Sequence, residues 1–188
     1  MPNPTLKRVP PQALPEPLRE AHARSMALRG DATFFEVFGN HPALYDWYAN
    51  SFYGDVFHGG KVPRRIKELC RLRLSTVHGC RFCNQGNRED ALAAGLSDRD
   101  IDAVGNYVDS HLAPAEKAAL KLADTLLLTN QNGVLTRELY GELAEHFDDG
   151  EILELGLTLG ILSGVAKFLF AFDLVEKESH CPFTAPGA

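Results

Sequence analysis

Residues 61–97 read KVPRRIKELCRLRLSTVHGCRFCNQGNREDALAAGLS, and this stretch decides the fold class. Proline suits the first turn of a helix, where its missing N–H would have no partner, so Pro63 predicts a helix start. Glycine at Gly79 then interrupts that helix. A second helix is predicted from about Cys80 to Ala94, and it closes at Gly95, a residue type that favours helix ends. The stretch therefore predicts two consecutive helices with a break between them.

Proline, glycine and capping residues also predict helix starts and ends along the rest of the chain. Ser97 with Asp100 three residues later resembles a capping box, and Thr136 and either Asp148 or Asp149 can cap later helices. Further helices are predicted over Pro17 to Leu28, Thr33 to Phe38, Pro42 to about Phe57, the segment PAEKAALKLADTLLLT that begins at Pro114, and a long one from about Glu151 to Glu176. No stretch shows the alternation of a strand between hairpin signals, so we expect an all-α helical bundle.

The length and composition are those of one globular domain. The chain has 188 residues, of which 45% are hydrophobic and 23% are charged, and a domain commonly takes roughly 100 to 200 residues. We expect residues 1–188 to form a single domain, with a proline-rich, extended arm over residues 1–15 and the cysteine motif within residues 62–95. The 19 basic and 25 acidic residues give a net charge of -6, which opposes binding to nucleic acid or an anionic membrane.

Targeting signals are not apparent in the sequence. Residues 1–30 contain no apolar run long enough for a signal peptide, so export is not expected. The uncharged apolar stretch from Leu155 to Ala166 has about a dozen residues, whereas a membrane span takes about 20. We therefore expect a buried helix there and a cytoplasmic protein. In a reducing cytosol, a cysteine pair is more often catalytic or metal-binding than permanently bonded.

Three glycines recur every four residues in the last predicted helix. Gly156, Gly160 and Gly164 would share one helix face, on which another helix can approach closely. That face is either packed inside the monomer or is a contact between subunits. Both interpretations are structural.

The motif Cys80-Arg81-Phe82-Cys83 carries the clearest chemical signal. If Gly79 breaks the preceding helix, Cys80 lies in a first turn, where free N–H groups and the helix dipole stabilise a thiolate. Arg81 adds positive charge nearby. Cys83 follows one turn later, close enough for a disulfide, so the pair could carry out reversible two-electron redox chemistry.

Three other interpretations of the pair remain open. A structural disulfide would need an oxidising compartment. A zinc site would need four ligands, for which Cys70, His78 and the distant pair His180-Cys181 are candidates without the spacing of a zinc finger. Two ordinary buried cysteines are the third possibility, because free cysteine is often buried.

With these residues identified, the sequence resembles the carboxymuconolactone decarboxylase and alkylhydroperoxidase D superfamily of all-helical proteins. The peroxidase branch of that superfamily has a Glu, eleven residues, a Cys, two residues, a Cys, three residues and a His; Glu68, Cys80 and Cys83 match this spacing. The surroundings ELCRLRLS and AAGLS are also similar, and the resemblance is good from about His41 to Ile101. It implies an alkylhydroperoxidase D-like helical bundle in trimers or hexamers.

The sequence departs from the family pattern at Asn87, which stands where the motif has its His. An amide can orient a thiol or a water but cannot titrate near neutrality as an imidazole does. Two alternatives for the proton transfer are open: Glu68 acts alone through a water, or His78 substitutes for the missing His. Without the resemblance, Glu68 among its basic neighbours is an ordinary helical ion-pair residue; with it, Glu68 becomes a buried catalytic base.

The resemblance also implies a mechanism and partners. Cys83 would attack a hydroperoxide and become a sulfenic acid, Cys80 would close the disulfide, and Glu68 would manage protons, although the helix dipole alone favours Cys80 as the nucleophile. A dithiol protein or a lipoyl-type carrier would reduce the disulfide. No cofactor or metal is expected, and neither nucleic acid nor membrane is an expected partner.

Two other function classes are compatible with the same scaffold. One is a lactone decarboxylase-type enzyme that uses His and Glu as acid and base, which the cysteine pair argues against. The other is a helical assembly protein that has lost activity, which Asn87 makes conceivable. Cys70 is expected to be a core thiol and Cys181 a C-terminal tail thiol, with His180 beside it making a second redox partner conceivable.

Overall fold

The computed structural model describes residues 1–183, and this part of the chain is helical and contains no β-strand. A 3₁₀ turn spans Pro11–Ala13 and is followed by α1 (Glu16–Arg29), α2 (Thr33–Phe38), α3 (Pro42–Asp46), a π-helical continuation of α3 (Trp47–His58), α4 (Arg64–His78), α5 (Arg81–Ala93), α6 (Asp98–Ala103), α7 (Pro114–Thr125), α8 (Arg137–Ala144) and α9 (Asp149–Ala171). The predicted all-α fold is therefore confirmed.

The break between α4 and α5 lies where the sequence predicts it. Gly79 ends α4 with φ 65°, in the left-handed region, and its N–H bonds to the carbonyl of Thr76 at 3.1 Å. Cys80 is the N-cap of α5, and its sulfur accepts a hydrogen bond from the N–H of Cys83 at 3.2 Å. The break turns the chain so that α5 packs against α4.

Two buried clusters hold the helices together. The larger one lies where α4 packs against α7 and α9, and it includes the fully buried Leu69, Leu120 and Leu155. The second cluster joins α2, the end of α9 and the chain that follows α9, and it contains Cys80 with Phe34, Phe170 and Leu174. Since Cys80 is a member of the second cluster and Cys83 packs against it, the cysteine pair belongs to the second cluster.

A buried ion pair ties α4 to α9. The side chain of Lys67 is fully buried, and its Nζ lies 2.9 Å from Oε1 of Glu154 and 2.8 Å from the carbonyl of Val56. Glu154 also accepts the backbone N–H groups of Lys61 and Val62. Because every charge in this group has a partner, the pair fixes the position of α4, which carries several of the residues near the cysteines.

The last two long helices end earlier than the sequence suggests. α9 stops at Ala171 rather than Glu176, because Asp173 adopts φ 53° and Leu174 turns back to bond the carbonyl of Leu169 at 3.0 Å. α7 stops at Thr125, before the end of the apolar run. No glycine or proline marks either end, so local punctuation does not reveal them.

The N-terminal arm is packed onto the body of the protein. The predicted extended course is interrupted by the 3₁₀ turn Pro11–Ala13. The N–H of Val9 bonds to the carbonyl of Glu36 at 3.0 Å, and Leu14 is buried. These contacts place the arm against α2.

Helix α9 is longer than its uncharged stretch indicates. Its 23 residues, Asp149–Ala171, are long and apolar enough to cross a membrane by length and composition, and 39% of that apolar window is buried inside the protein. A core helix of a soluble protein passes the same test, so this finding is weak support for a span.

The glycine face of α9 points away from the rest of the described chain. A Cβ built on Gly156, Gly160 or Gly164 would meet nothing within 4 Å among residues 1–183. The interpretation that this face is packed inside the monomer is therefore wrong for the described part of the chain. A contact between subunits stays a prediction.

Candidate active site

Cys80 and Cys83 are joined by a disulfide bond of 2.05 Å at the start of α5. The side chain of Cys80 is fully buried, whereas Cys83 is half-buried. Both positions belong to the first turn of the helix, the N-cap and the third residue, where unpaired N–H groups favour negative charge. The cysteine pair therefore has one sheltered sulfur and one accessible sulfur.

The chain after α9 covers the buried sulfur. The N–H of Phe82 bonds to the carbonyl of Glu176 at 3.2 Å, and the N–H of Glu178 bonds to the carbonyl of Gly79 at 2.8 Å. Gly79 is also close to this segment, since a Cβ there would lie 2.7 Å from Cα of Cys181. The C-terminal segment, residues 172–183, thus forms a cover over the start of α5 that sequence analysis did not foresee.

A small inner cavity of about 60 Å³ lies against the cysteine pair. Its walls come from the π-helical segment, α4, α5 and α9, and they include Tyr48, Tyr53, Arg71, Ser75, His78, Cys80, Cys83, Asn87 and Leu169. The volume suits one or two waters or the head of a small substrate. Four of the five predicted site residues therefore line this cavity, Cys80, Cys83, His78 and Asn87, and Glu68 does not.

His78 is fully buried at the end of α4, and its Nε2 accepts the N–H of Leu128 at 3.0 Å. The acceptor role of Nε2 assigns the proton to Nδ1. That Nδ1 is buried and has no hydrogen-bond partner among the described residues. Burial lowers the pKa of His78 to about 4, so the ring is neutral at pH 7 and its free N–H is a donor.

Asn87 is buried beside the same cavity and is held by Ser75. Its Nδ2 donates to Oγ of Ser75 at 2.9 Å, and that hydroxyl donates in turn to the carbonyl of Leu72 at 3.2 Å. These bonds fix the amide in one orientation. The position of the family His is thus occupied by a group that can orient a partner but cannot take up a proton.

Glu68 is fully buried on α4 and is bound by two arginines. Oε2 accepts Nη2 of Arg71 at 2.5 Å, and Oε1 accepts Nε of Arg64 at 3.1 Å. Among the described residues, Glu68 is not on the wall of the inner cavity, whereas Arg71 is. The structure therefore brings Glu68 to the site through Arg71 and not by direct contact with the cavity.

Arg71 is a site residue that the sequence alone does not identify. Its Nη2 also donates to Asp90 at 2.9 Å, and the guanidinium carbon lies 4.9 Å from the ring centre of Phe57. Burial opposes its charge, but Tyr53, Glu68 and Asp90 outweigh that effect and raise the pKa of Arg71. In the sequence, Arg71 is one of several basic residues around Glu68, and nothing distinguishes it from the others.

Two tyrosines of the π-helical segment complete the inner wall. Tyr48 and Tyr53 have ring centres 5.1 Å apart, and the hydroxyl of Tyr53 accepts Nη1 of Arg71 at 3.4 Å. Burial, with a smaller effect of Tyr53, raises the pKa of Tyr48 well above its ordinary value, so it is a neutral hydroxyl at pH 7. π-Helical turns are frequent at functional sites, but the sequence predicts only a regular helix there.

An outer chamber of about 350 Å³ adjoins the inner cavity. The two share Tyr48, Tyr53, Arg71, Cys83, Asn87 and Leu169 as wall residues. The outer chamber adds residues of α1, α2 and α5 to these. It gives Cys83 a second exposed side that Cys80 lacks.

The other two cysteines, Cys70 and Cys181, are buried in the two hydrophobic clusters. Cys70 is fully buried in the larger core cluster, and burial raises the pKa of its thiol. Cys181 is buried in the cluster that contains Cys80. Residues 1–183 contain no group of three or more His, Cys, Asp or Glu that could hold a metal ion, and in the disulfide form the sulfurs of Cys80 and Cys83 are bonded to each other.

An all-helical chain with a vicinal cysteine pair at a helix N-terminus, beside a small cavity, belongs to the class of candidate disulfide redox proteins. A family model described as the carboxymuconolactone decarboxylase family matches residues 42–125. The chain belongs to this family. The resemblance stated from the motif is thereby confirmed.

Several known proteins are similar to this chain. The uncharacterized protein YdfG of Bacillus subtilis (strain 168) is 30% identical over 99 residues, which are 52% of this chain and 67% of YdfG. The debrominase Bmp8, in the complex of a cysteine-to-alanine variant with 2,3,4-tribromopyrrole, has a TM-score of 0.75 at 17% identity, covering 94% of this chain and 93% of its own. A peroxidase-related protein with an alkylhydroperoxidase AhpD core from Ralstonia eutropha has a TM-score of 0.72 at 14% identity, covering 95% and 94%. At these identities the two structures show the fold alone.

Proposed function

We propose that the chain is a thiol-dependent peroxidase, an alkylhydroperoxidase D-like disulfide oxidoreductase that reduces hydroperoxides through Cys83 and Cys80. The observation that carries the proposal is the asymmetric pair at the start of α5, with one sulfur fully buried and the other on the walls of both chambers. A hydroperoxide can approach Cys83 through the outer chamber, while Cys80 is close enough to close the disulfide.

The proposed reaction begins from the reduced pair. The Cys83 thiolate attacks the terminal oxygen of the hydroperoxide, the O–O bond breaks, and the leaving alkoxide takes a proton to become an alcohol. Cys83 is now a sulfenic acid. The Cys80 sulfur attacks it, and the hydroxyl leaves as water with the Cys80 proton, which forms the disulfide. The peroxide has then gained the two electrons that the thiols have lost.

Exposure favours Cys83 over Cys80 as the peroxide-reacting sulfur. The dipole of α5 acts on both positions, because both lie in the first turn of the helix. Access differs, since Cys80 is covered by the C-terminal segment and Cys83 is half-buried. This agrees with the order of events that the family resemblance implies.

The remaining groups are proposed to act around that sulfur in three ways. Arg71 stabilises negative charge on Cys83, and Glu68 keeps the guanidinium in place; a proton-transfer role of Glu68 itself stays a hypothesis, because a guanidinium does not give up its proton. Asn87 orients a water or the leaving oxygen by a hydrogen bond. His78 would serve as a donor through Nδ1, because a proton on Nε2 would break its bond to Leu128; its use as a replacement base stays a hypothesis.

A reductant must return the disulfide to the dithiol. A dithiol protein or a lipoyl-type carrier is proposed, since thiol–disulfide exchange needs only an attacking thiolate. We propose further that the protein forms homo-oligomers, trimers or hexamers, with the exposed glycine face of α9 as a candidate contact. The solved structures of similar fold favour a soluble protein, and the cytoplasm as its compartment stays a prediction.

Counting thiols tests the peroxidase proposal directly. The reduced, desalted protein is treated with one equivalent of tert-butyl hydroperoxide under argon, quenched, and titrated with a chromogenic thiol reagent in denaturant. We expect two of the four thiols to disappear and the Cys80–Cys83 peptide to contain the disulfide by mass spectrometry. A variant with Cys70→Ala and Cys181→Ala should lose the same two thiols. Four thiols remaining after many equivalents of peroxide would reject the proposal.

A second candidate function is reductive dehalogenation, which the similarity to the debrominase Bmp8 favours. A dithiol can supply the two electrons that replace carbon–bromine by carbon–hydrogen, with bromide as the leaving group and the disulfide as the oxidised product. Bromide release from 2,3,4-tribromopyrrole by the reduced protein would support it. The decarboxylase-type function and the inactive assembly protein are distinguished from both by the absence of any thiol loss.

A further inference from the structure

The outer chamber has an aromatic wall. Its lining includes six rings, those of Phe34, Phe35, Tyr45, Tyr48, Tyr53 and Phe82. Ring pairs such as Phe34 and Phe82, with centres 6.2 Å apart, form part of a continuous surface. A chamber of about 350 Å³ is at the small end of ligand sites, which run from roughly 300 Å³ upwards. Such a wall suits a flat ring more than a flexible chain.

The charged groups of this wall are mostly cationic. The lining includes Arg24, Arg29 and Arg71, against the single carboxylate of Asp90. Asp90 is already bound to Arg71 at 2.9 Å, and Glu68 binds the same guanidinium. Arg71 is therefore already paired with two carboxylates, whereas the two arginines of α1 are not.

Neither Arg24 nor Arg29 pairs with a carboxylate in residues 1–183, and Arg29 is the one whose guanidinium is held by hydrogen bonds. No carboxylate of residues 1–183 lies within 4 Å of it, although Asp90 and Glu89 are near enough to influence its charge. Its Nε donates to the carbonyl of Phe82 at 3.0 Å, and its Nη1 donates to Oγ of Ser25 at 3.3 Å. These bonds leave both hydrogens of Nη2 and one hydrogen of Nη1 without an acceptor in the described chain.

The neighbourhood of Arg29 is built to hold the guanidinium in one place. Its carbon lies 4.4 Å from the ring centre of Phe82, a cation–π contact. On the other side is Gly86, where a Cβ would lie 1.8 Å from Nη2. The glycine therefore lets the backbone of α5 approach the guanidinium closely, and a side chain at position 86 would require the guanidinium to move. Burial is the largest influence on Arg29 and lowers its pKa, as expected for a partly desolvated cation that lacks a counter-ion.

We propose that the outer chamber binds a planar aromatic carboxylate, with the ring against the aromatic wall and the carboxylate on the free Nη1 and Nη2 hydrogens of Arg29. A guanidinium and a carboxylate match in a two-point contact, which a single oxygen anion cannot make. This inference deepens the proposed function, on which it rests for the role of Cys83. It predicts that the protein prefers hydroperoxides that carry an aromatic carboxylate over simple alkyl hydroperoxides.

Binding to the oxidised protein tests the inference without turnover. Isothermal titration with benzoate, benzamide and cyclohexanecarboxylate compares an aromatic anion, its neutral counterpart and a non-planar anion. We expect benzoate to bind about tenfold more tightly than benzamide, the ratio that one charge-assisted hydrogen bond supplies, and more tightly than cyclohexanecarboxylate. Benzoate binding no tighter than benzamide would overturn the inference.

Variants assign the effect to Arg29. Arg29→Gln should reduce benzoate affinity to that of benzamide, and Gly86→Ala should do the same by displacing the guanidinium while keeping its charge. The control is Arg88→Gln. Arg88 is an exposed arginine on the same helix as Gly86, and it pairs with Asp98. This variant should leave benzoate affinity unchanged. Equal benzoate affinity in Arg29→Gln and the unaltered protein, with thermal unfolding confirming that both are folded, would reject the assignment.

The experiments distinguish a failure of the peroxidase proposal from a failure of the aromatic acid inference. If the reduced protein loses two thiols to peroxide but benzoate does not bind selectively, the peroxidase proposal stands and the aromatic acid inference is wrong. If benzoate binds through Arg29 and no thiols are lost, the site is real and the peroxidase proposal is wrong. A kinetic comparison of cumene hydroperoxide with its 4-carboxy derivative then measures the preference in turnover, and the carboxy compound should have a kcat/KM about tenfold higher.

Discussion

Nη2 of Arg71 lies 2.5 Å from Oε2 of Glu68, and the same arginine lines the cavity against the cysteine pair. The two residues are three positions apart on α4, so one helix turn places the carboxylate and its partner together. Glu68 is completely buried, and Arg71 is nearly so. The charge that faces the cavity is therefore the guanidinium, and the carboxylate acts on the site through it.

Removing the charge of Glu68 should destabilise the protein. Glu68→Gln leaves Arg71 with only Asp90, which is about half exposed, and breaking a buried ion pair costs about 3 kcal/mol. We expect the free energy of unfolding in urea to fall by that amount and peroxide consumption to fall with it. Glu142→Gln, in an exposed pair with Lys121, is the matched control and should change stability by less than about 0.5 kcal/mol. Equal losses in the two variants would contradict the role of burial.

Replacing Cys83 and replacing Cys80 should have different effects on peroxide consumption. Cys83→Ser is expected to abolish peroxide consumption, because the accessible sulfur is gone. Cys80→Ser should still react once and then stop as a sulfenic acid that a dimedone probe labels at Cys83. Cys70→Ala serves as the control, since Cys70 is fully buried and burial raises the pKa of its thiol, and it should retain activity. Labelling at Cys80 in a Cys83→Ser protein would reverse the assignment.

Asn87 can be returned to the residue type of the family motif. Asn87→His should leave the rate of peroxide consumption unchanged or raise it, because an imidazole near neutrality can move a proton and an amide cannot. The rate should also gain a pH dependence between about pH 6 and 7. Ser75→Ala, which removes the acceptor that holds the Asn87 amide, shows how much of any change comes from side-chain position alone. A large drop in Asn87→His would mean that position 87 is not the relay position in this protein.

His78 should make stability depend on pH in mildly acidic solution. Its pKa is lowered from 6.5 to about 4 by burial, so the unfolded state binds a proton that the folded state does not. Stability from this group is fully present above about pH 6.5 and is lost as the pH falls towards 4. The loss should be about 2 kcal/mol between roughly pH 7.5 and pH 5.

The measurement compares urea unfolding at the two pH values in the unaltered protein and in His78→Gln. Glutamine can accept the N–H of Leu128 through its amide oxygen and does not titrate. The variant should therefore show a smaller fall in stability on acidification, by about 2 kcal/mol. If both proteins lose the same amount, His78 is protonated in the folded state and the neutral assignment is wrong.

Gly79 should tolerate a side chain less well than Gly95. Both glycines have positive φ, 65° and 85°, so alanine costs about 1 kcal/mol in backbone strain at either. Only at Gly79 would the new Cβ meet the backbone of Cys181, whereas nothing lies within 4 Å at Gly95. Gly79→Ala should therefore lower the thermal midpoint more than Gly95→Ala. It should also speed the reaction of Cys80 with a thiol reagent in the reduced protein, because the C-terminal segment is displaced.

Glycines and prolines are among the residues from which the sequence alone predicts the helix boundaries. Gly79 and Gly95 mark helix ends because glycine adopts the left-handed conformation without strain, and Pro63 and Pro114 mark helix starts because they lack an N–H. These are local properties of single residues. The early end of α9 is not predicted in this way, because the residue type of Asp173 does not indicate the left-handed conformation that it adopts.

The sequence by itself determined the all-helical class, most helix boundaries, and the placement of Cys80 and Cys83 in the first turn of one helix, because each follows from residue type and short spacing. The tertiary structure decided which side chains meet those sulfurs. His78 finds its partner at Leu128, fifty residues away, and the chain beyond α9 returns to cover Gly79. Such contacts depend on how helices pack in three dimensions, and the packing energy is spread over many residues, so no local pattern encodes them.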